Sequence, residues 1–171
     1  MWREGCVQSC HTARIAILPF DDMAEVRKTV LIERSAEQMF RLVDAVEHYP
    51  DFLPWCGGTQ LIERTDELTR ARLDINYHGV KAHFSTANTK VFPRSMTIHL
   101  LEGPFNALDG TWAFTPLGEG ACKIEFNLRY EFSNRLIEKV VGPVFSHIAN
   151  TFVDAFVKQA DRAYGPSGSA K

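Results

Sequence analysis

The residues best suited to chemistry in this chain are two histidines and a small group of cysteines, and neither set completes a site. His83 and His99 lie in stretches where polar and apolar residues alternate, so either can face an interior and pair with Asp74 or Glu102 to move a proton near neutral pH. A lone strand histidine is more often a surface residue or a satisfied core residue. Cys6, Cys10 and His11 sit close together but lack a fourth ligand at a zinc-like spacing, so no metal site is expected. Cys56 and Cys122 fall in apolar runs and read as reduced thiols. The sequence holds no metalloprotease helix, nucleophile elbow, phosphate loop or dinucleotide fingerprint. The expectation is a protein without catalytic residues.

Binding of apolar matter is the better-supported chemistry. Tyr49-Pro50-Asp51-Phe52-Leu53-Pro54-Trp55-Cys56 sets three aromatics and two prolines in a segment that reads as a loop. Such a loop either plugs one end of a core or forms an apolar portal to a ligand or membrane surface. Gly103-Pro104-Phe105 marks a tight turn, after which Leu108, Gly110, Trp112 and Phe114 share one strand face. Gly110 reads as a bulge or close backbone approach, with room for a bound molecule as the sharper alternative.

The elements that must position these residues are legible from periodicity. Cys122, Ile124, Phe126, Leu128, Tyr130 and Phe132 alternate with Lys123, Glu125, Asn127, Arg129 and Glu131, which is a strand with one dry and one wet face. Ile137, Val141, Phe145, Ile148, Phe152 and Phe156 then recur three or four residues apart, predicting a helix over 134–164. Within it Gly142-Pro143 predicts a kink, read either as a static bend or as a hinge that opens the interior. Upstream, Val26 to Ile32 reads as a first strand and Ser35 with Gln38 as a capping box opening a helix to about Asp44. A second short helix from Val46 is expected to stop before Pro50. Five further strands follow, about Gly58 to Thr65, Arg70 to Tyr77, Val80 to Val91, Met96 to Leu101 and Ala107 to Leu117. The order predicts an α+β fold, a curved seven-stranded antiparallel sheet around a long C-terminal helix, with two short helices after the first strand.

At 171 residues, 45% hydrophobic and 23% charged, the chain suits one globular domain. The expected division is an unstructured N-terminal extension over 1–22, a domain over 23–165 and a flexible tail over 166–171. The formal net charge of -2 gives no global positive field toward nucleic acid or anionic membrane. No signal-like segment and no run approaching about 20 apolar residues is seen, which places the protein in the cytoplasm.

The element order, the Tyr49 to Cys56 loop, Gly103-Pro104-Phe105, Leu108-Asp109-Gly110-Thr111-Trp112-Ala113-Phe114 and the ending Arg162-Ala163-Tyr164-Gly165 resemble the coenzyme Q-binding, START-like family. This group lies within the polyketide cyclase superfamily, and its bacterial members include ribosome-association toxins of the RatA type. The resemblance covers about 23–165. It implies a helix-grip fold with a deep apolar cavity, of about 300 to 1,000 Å3 by general experience of ligand sites. The implied ligand is an isoprenoid quinone, ubiquinone, carried in support of respiration with transient peripheral membrane contact at the inner face of the cytoplasmic membrane. Leu53, Trp55, Leu73, Ile75, Phe84, Trp112, Phe126, Leu128, Val141, Phe145 and Phe152 are then the expected lining, and Tyr49, Pro50, Phe52, Pro54 and Phe105 the portal. The alternative implied function is a toxin that binds the large (50S) ribosomal subunit and blocks subunit association, with an antitoxin protein as a further partner. Arg70, Arg72, Lys81 and Lys90 are the expected contacts to ribosomal RNA, diluted by Glu63, Asp66, Glu67 and Asp74. Cyclase or dehydrase activity ranks below both.

Overall fold

A computed structural model describes residues 23–165. The expectations for the extension over 1–22, for Cys6, Cys10 and His11, and for the tail over 166–171 lie outside the described residues. The elements are β1 (Ala24–Ile32), α1 (Ala36–Asp44), a 3-10 turn (Val46–His48), α2 (Tyr49–Phe52), β2 (Cys56–Arg64), β3 (Leu68–Tyr77), β4 (Val80–Val91), β5 (Ser95–Glu102), β6 (Phe105–Pro116), β7 (Cys122–Phe132) and α3 (Arg135–Tyr164). The seven strands form one antiparallel sheet in the order β1-β7-β6-β5-β4-β3-β2. Every strand after β1 therefore pairs with its neighbour in sequence, and β1 closes the edge beside β7.

Period two decides which face each side chain takes. On β7, Ile124, Phe126, Leu128 and Tyr130 point inward and are all buried, with their partners on β6, Phe114, Trp112, Gly110 and Leu108, beside them. Gly110 is a close approach: an added Cβ would lie 3.1 Å from both Ile98 and Leu128 and 3.2 Å from the carbonyl of Asn127. Gly103 is stricter still, since its φ is +156° and a Cβ would stand 2.7 Å from that of Phe84.

α1 starts as the capping box predicts, with the Ser35 hydroxyl accepting from the Gln38 amide and the Gln38 side chain accepting from the Ser35 amide. The segment after it differs from expectation. Pro50 does not end a helix but sits in the first turn of α2, where its missing amide has no intrahelical partner to lose.

α3 runs unbroken through Pro143, with the Asn134 side chain capping the Ile137 amide. At about 1.5 Å per residue its 30 residues span about 45 Å. Contrary to expectation from runs of apolar residues, it is long and apolar enough to cross a membrane by length and composition alone. A helix laid across a one-sided sheet needs the same composition: Val141, Phe145, Ile148, Ala149, Val153, Phe156 and Ala160 are buried.

Candidate functional site

The inner face of the sheet and the buried face of α3 enclose a cavity lined mainly by apolar side chains. Trp55, Leu73, Phe84, Trp112, Phe126, Leu128, Phe145 and Phe152 surround it, as the sequence suggests, together with Val43, Val46, Tyr49, Ile98, Leu108, Ile148 and Ala149. Leu53, Ile75 and Val141 are buried in the same core but stand outside the lining. The space measures about 70 Å3. An apolar cavity that holds one benzene is about 150 Å3, so this one does not accommodate a quinone ring as it stands. The reason is aromatic filling: Trp112 packs on Phe126 at 4.5 Å between centroids and on Phe152 at 5.7 Å, and Phe152 packs on Phe156 at 5.0 Å.

Two polar side chains interrupt the apolar wall, Thr86 and Asn88. The Asn88 Oδ1 is buried and has no hydrogen-bond partner. A buried acceptor left unmatched costs about 1–3 kcal/mol, so this atom is the point at which a guest carrying a donor gains most. Parity reveals both residues: 84, 86 and 88 share a face, and Phe84 already reads as interior.

The expected portal residues divide between two places. Tyr49 is buried against Phe156 and lines the cavity, its hydroxyl donating to the Val43 carbonyl at 2.6 Å, and burial holds its pKa far above the ordinary phenol value. Phe52 is half-buried beside it, while Pro50 and Pro54 are exposed. Phe105 belongs elsewhere, packed on Phe132 and Phe145 at 5.0 and 4.9 Å. Phe145 and Phe152 are seven residues apart on α3, about 10 Å along its axis, so the two groups cannot form one mouth.

The four expected RNA contacts also separate. Arg70, Arg72 and Lys81 stand on the outer face, but Arg70 is paired with Glu63 at 3.4 Å and Arg72 with Asp74 at 2.9 Å. Lys90, contrary to expectation, does not join them: its parity is that of Phe84, so it turns inward, is 6% exposed and bonds to Asp44 at 2.9 Å. Asp44 also accepts from the Thr69 hydroxyl at 2.7 Å, and its backbone carbonyl accepts from Arg64. Arg64 in turn makes two bonds to Glu47, which holds that carboxyl down at about 2.

The histidines face solvent rather than the interior, with His83 at 3.9 Å from Glu102 and His99 at 3.8 Å from Asp109, both on the outer face and away from the cavity. Cys56 and Cys122 are buried free thiols; burial pushes the Cys122 thiol up to about 11, which makes it a poor nucleophile. Among the described residues no group of histidine, cysteine and carboxylate side chains is placed to hold a metal.

A family model described as "Polyketide cyclase / dehydrase and lipid transport" matches 32–157. The chain is 42% identical over 142 residues, 83% of its own length and 90% of the relative's, to the ribosome association toxin RatA of Escherichia coli strain K12. It is 28% identical to the mitochondrial coenzyme Q-binding protein COQ10 homolog B of Xenopus laevis, over 82% of the chain and 59% of that protein. Among solved structures, the Zhui aromatase/cyclase from Streptomyces superposes with a TM-score of 0.70 at 17% identity, covering 86% of this chain and 99% of that one.

Proposed function

Because the chain belongs to the polyketide cyclase / dehydrase and lipid transport family, in its START-like form, we propose that it acts by binding the large ribosomal subunit and blocking subunit association. The observation that carries this reading is the 42% identity to a ribosome association toxin across 83% of this chain and 90% of that one. The interior supports the same order of preference, since a space of about 70 Å3 is smaller than one benzene occupies, while the implied cargo is a quinone ring with an isoprenoid tail. Such a protein works through its surface in the cytoplasm, with no catalytic residue and no cofactor. Sucrose-gradient sedimentation tests it: added protein travels with the 50S subunit and reduces the 70S peak in proportion to its concentration. Protein that stays at the top of the gradient, with 70S particles unchanged, removes the reading.

The second reading is a bound hydrophobic ligand, and the unpartnered Asn88 Oδ1 in the cavity wall favours it. A guest large enough to be a quinone requires α3 to move off the sheet, and the Gly142-Pro143 step is where that helix has a residue without an amide donor.

A further inference from the structure

On the outer face of the sheet Arg27, Arg70, Arg72 and Lys123 are each held by a carboxylate, while Lys81 and Arg129 stand on separate strands without an ion pair among the described residues. Two further cations without an ion-pair partner among the described residues stand together on α3. These are Lys158 and Arg162, which are exposed and one turn apart. They border a groove of about 330 Å3 between α3 and the loop after α2, whose aromatic side includes Phe52, Tyr77 and His147. The rings of Tyr77 and His147 are parallel within 8°, with centroids 5.7 Å apart. Asp154 is the groove's carboxylate, against the two permanent cations and His147.

We infer that this groove takes single-stranded RNA, with a base laid on the Tyr77–His147 plates and the neighbouring phosphates held by Lys158 and Arg162. An exposed ring, His147, backed by the half-buried Tyr77 and beside cations without an ion-pair partner among the described residues is what unpaired nucleotides require, because every base offers a π-face and every linkage a charge. The inference rests on the ribosome reading for the source of the RNA and names the surface that makes the contact. It replaces the sheet arginines in that role.

The test uses the full chain and a fluorescein-labelled 12-nucleotide oligouridine in anisotropy titrations over a series of potassium chloride concentrations, alongside pelleting with 50S subunits. The wild type binds, and K158A/R162A weakens binding about tenfold and reduces the log–log salt slope by about 1.4, two single-strand phosphates at about 0.7 each. His147→Ala weakens binding at every salt concentration without changing the slope, and R70A/R72A leaves both unchanged. An oligonucleotide that does not bind, or a K158A/R162A protein that binds it as the wild type does, overturns the inference. So does groove-dependent binding to phosphatidylglycerol vesicles in place of RNA, which assigns the surface to a membrane. Wild-type protein that pellets with 50S subunits equally well as K158A/R162A sinks the groove and leaves the ribosome reading standing. Oligonucleotide binding lost in K158A/R162A supports the groove even if 50S pelleting fails, and that failure then falls on the ribosome reading alone.

Discussion

Replacing Lys90 with methionine removes the nearer of two cations facing the Asp44 carboxylate, the other being Arg64 at 3.7 Å, in a site where the lysine side chain is 3% exposed and the aspartate 17%. An uncompensated buried charge costs about 3–5 kcal/mol, and because Arg64 and the Thr69 hydroxyl still face the carboxylate, Lys90→Met lowers urea stability by less than that, while adding Asp44→Asn recovers a large part of the loss. Equal losses in the single and double variants show that the pair is not coupled. The neighbouring Glu47 sets a pH response of known sign. Its carboxyl is lowered from 4.5 to about 2 by hydrogen bonding to Arg64, so the stability it contributes is complete above about 4.5 and is lost as pH falls toward about 2. Glu47 is 41% exposed, which limits the contribution to under about 1 kcal/mol. Glu47→Gln is expected to flatten the stability curve between those limits, read by urea midpoints at successive pH values. A basic residue in a strand suggests a wet face, but parity with Phe84 puts Lys90 inside.

At the scale of elements, strand and helix positions followed from period and capping signals because those are local. The box at Ser35 and Gln38 is an example, and Ser35→Ala is expected to cost about 1 kcal/mol, measured by chemical denaturation, by leaving a first-turn amide of α1 without an acceptor. Pro50 departs from expectation for an equally local reason. A proline opens a helix turn as readily as it closes one, and the choice depends on how α2 packs through Tyr49. Gly110 could signal either space or crowding, and the structure decides for crowding. Gly110→Ala pushes on Ile98, Leu128 and a backbone carbonyl, with an expected loss of about 1–3 kcal/mol in the same measurement. An unchanged midpoint would mean that β5 and β7 yield at this point.

For the molecule as a whole, the packed interior makes a definite claim about cargo. Mass spectrometry of an organic extract of purified protein is expected to find isoprenoid quinone well below one per chain, because about 70 Å3 is too little for its ring. A stoichiometric quinone would restore the carrier reading and require a second position of α3. The sequence by itself determined the one-sided sheet, its seven strands, the long helix across it and most of the aromatic residues between them, since alternation and helical spacing are properties of the chain alone. It also carried enough family resemblance to bring the ribosome and the quinone into view together. Only the tertiary structure decided how far α3 sinks its phenylalanines into the sheet, and so how small the cavity is. The pairing of charges was likewise beyond the sequence: Arg70 and Arg72 are neutralised across and along strands, while Lys158 and Arg162 have no ion-pair partner among the described residues and stand beside aromatic rings from distant segments. Volume and charge pairing depend on distances between residues remote in the chain, and periodicity carries no record of those.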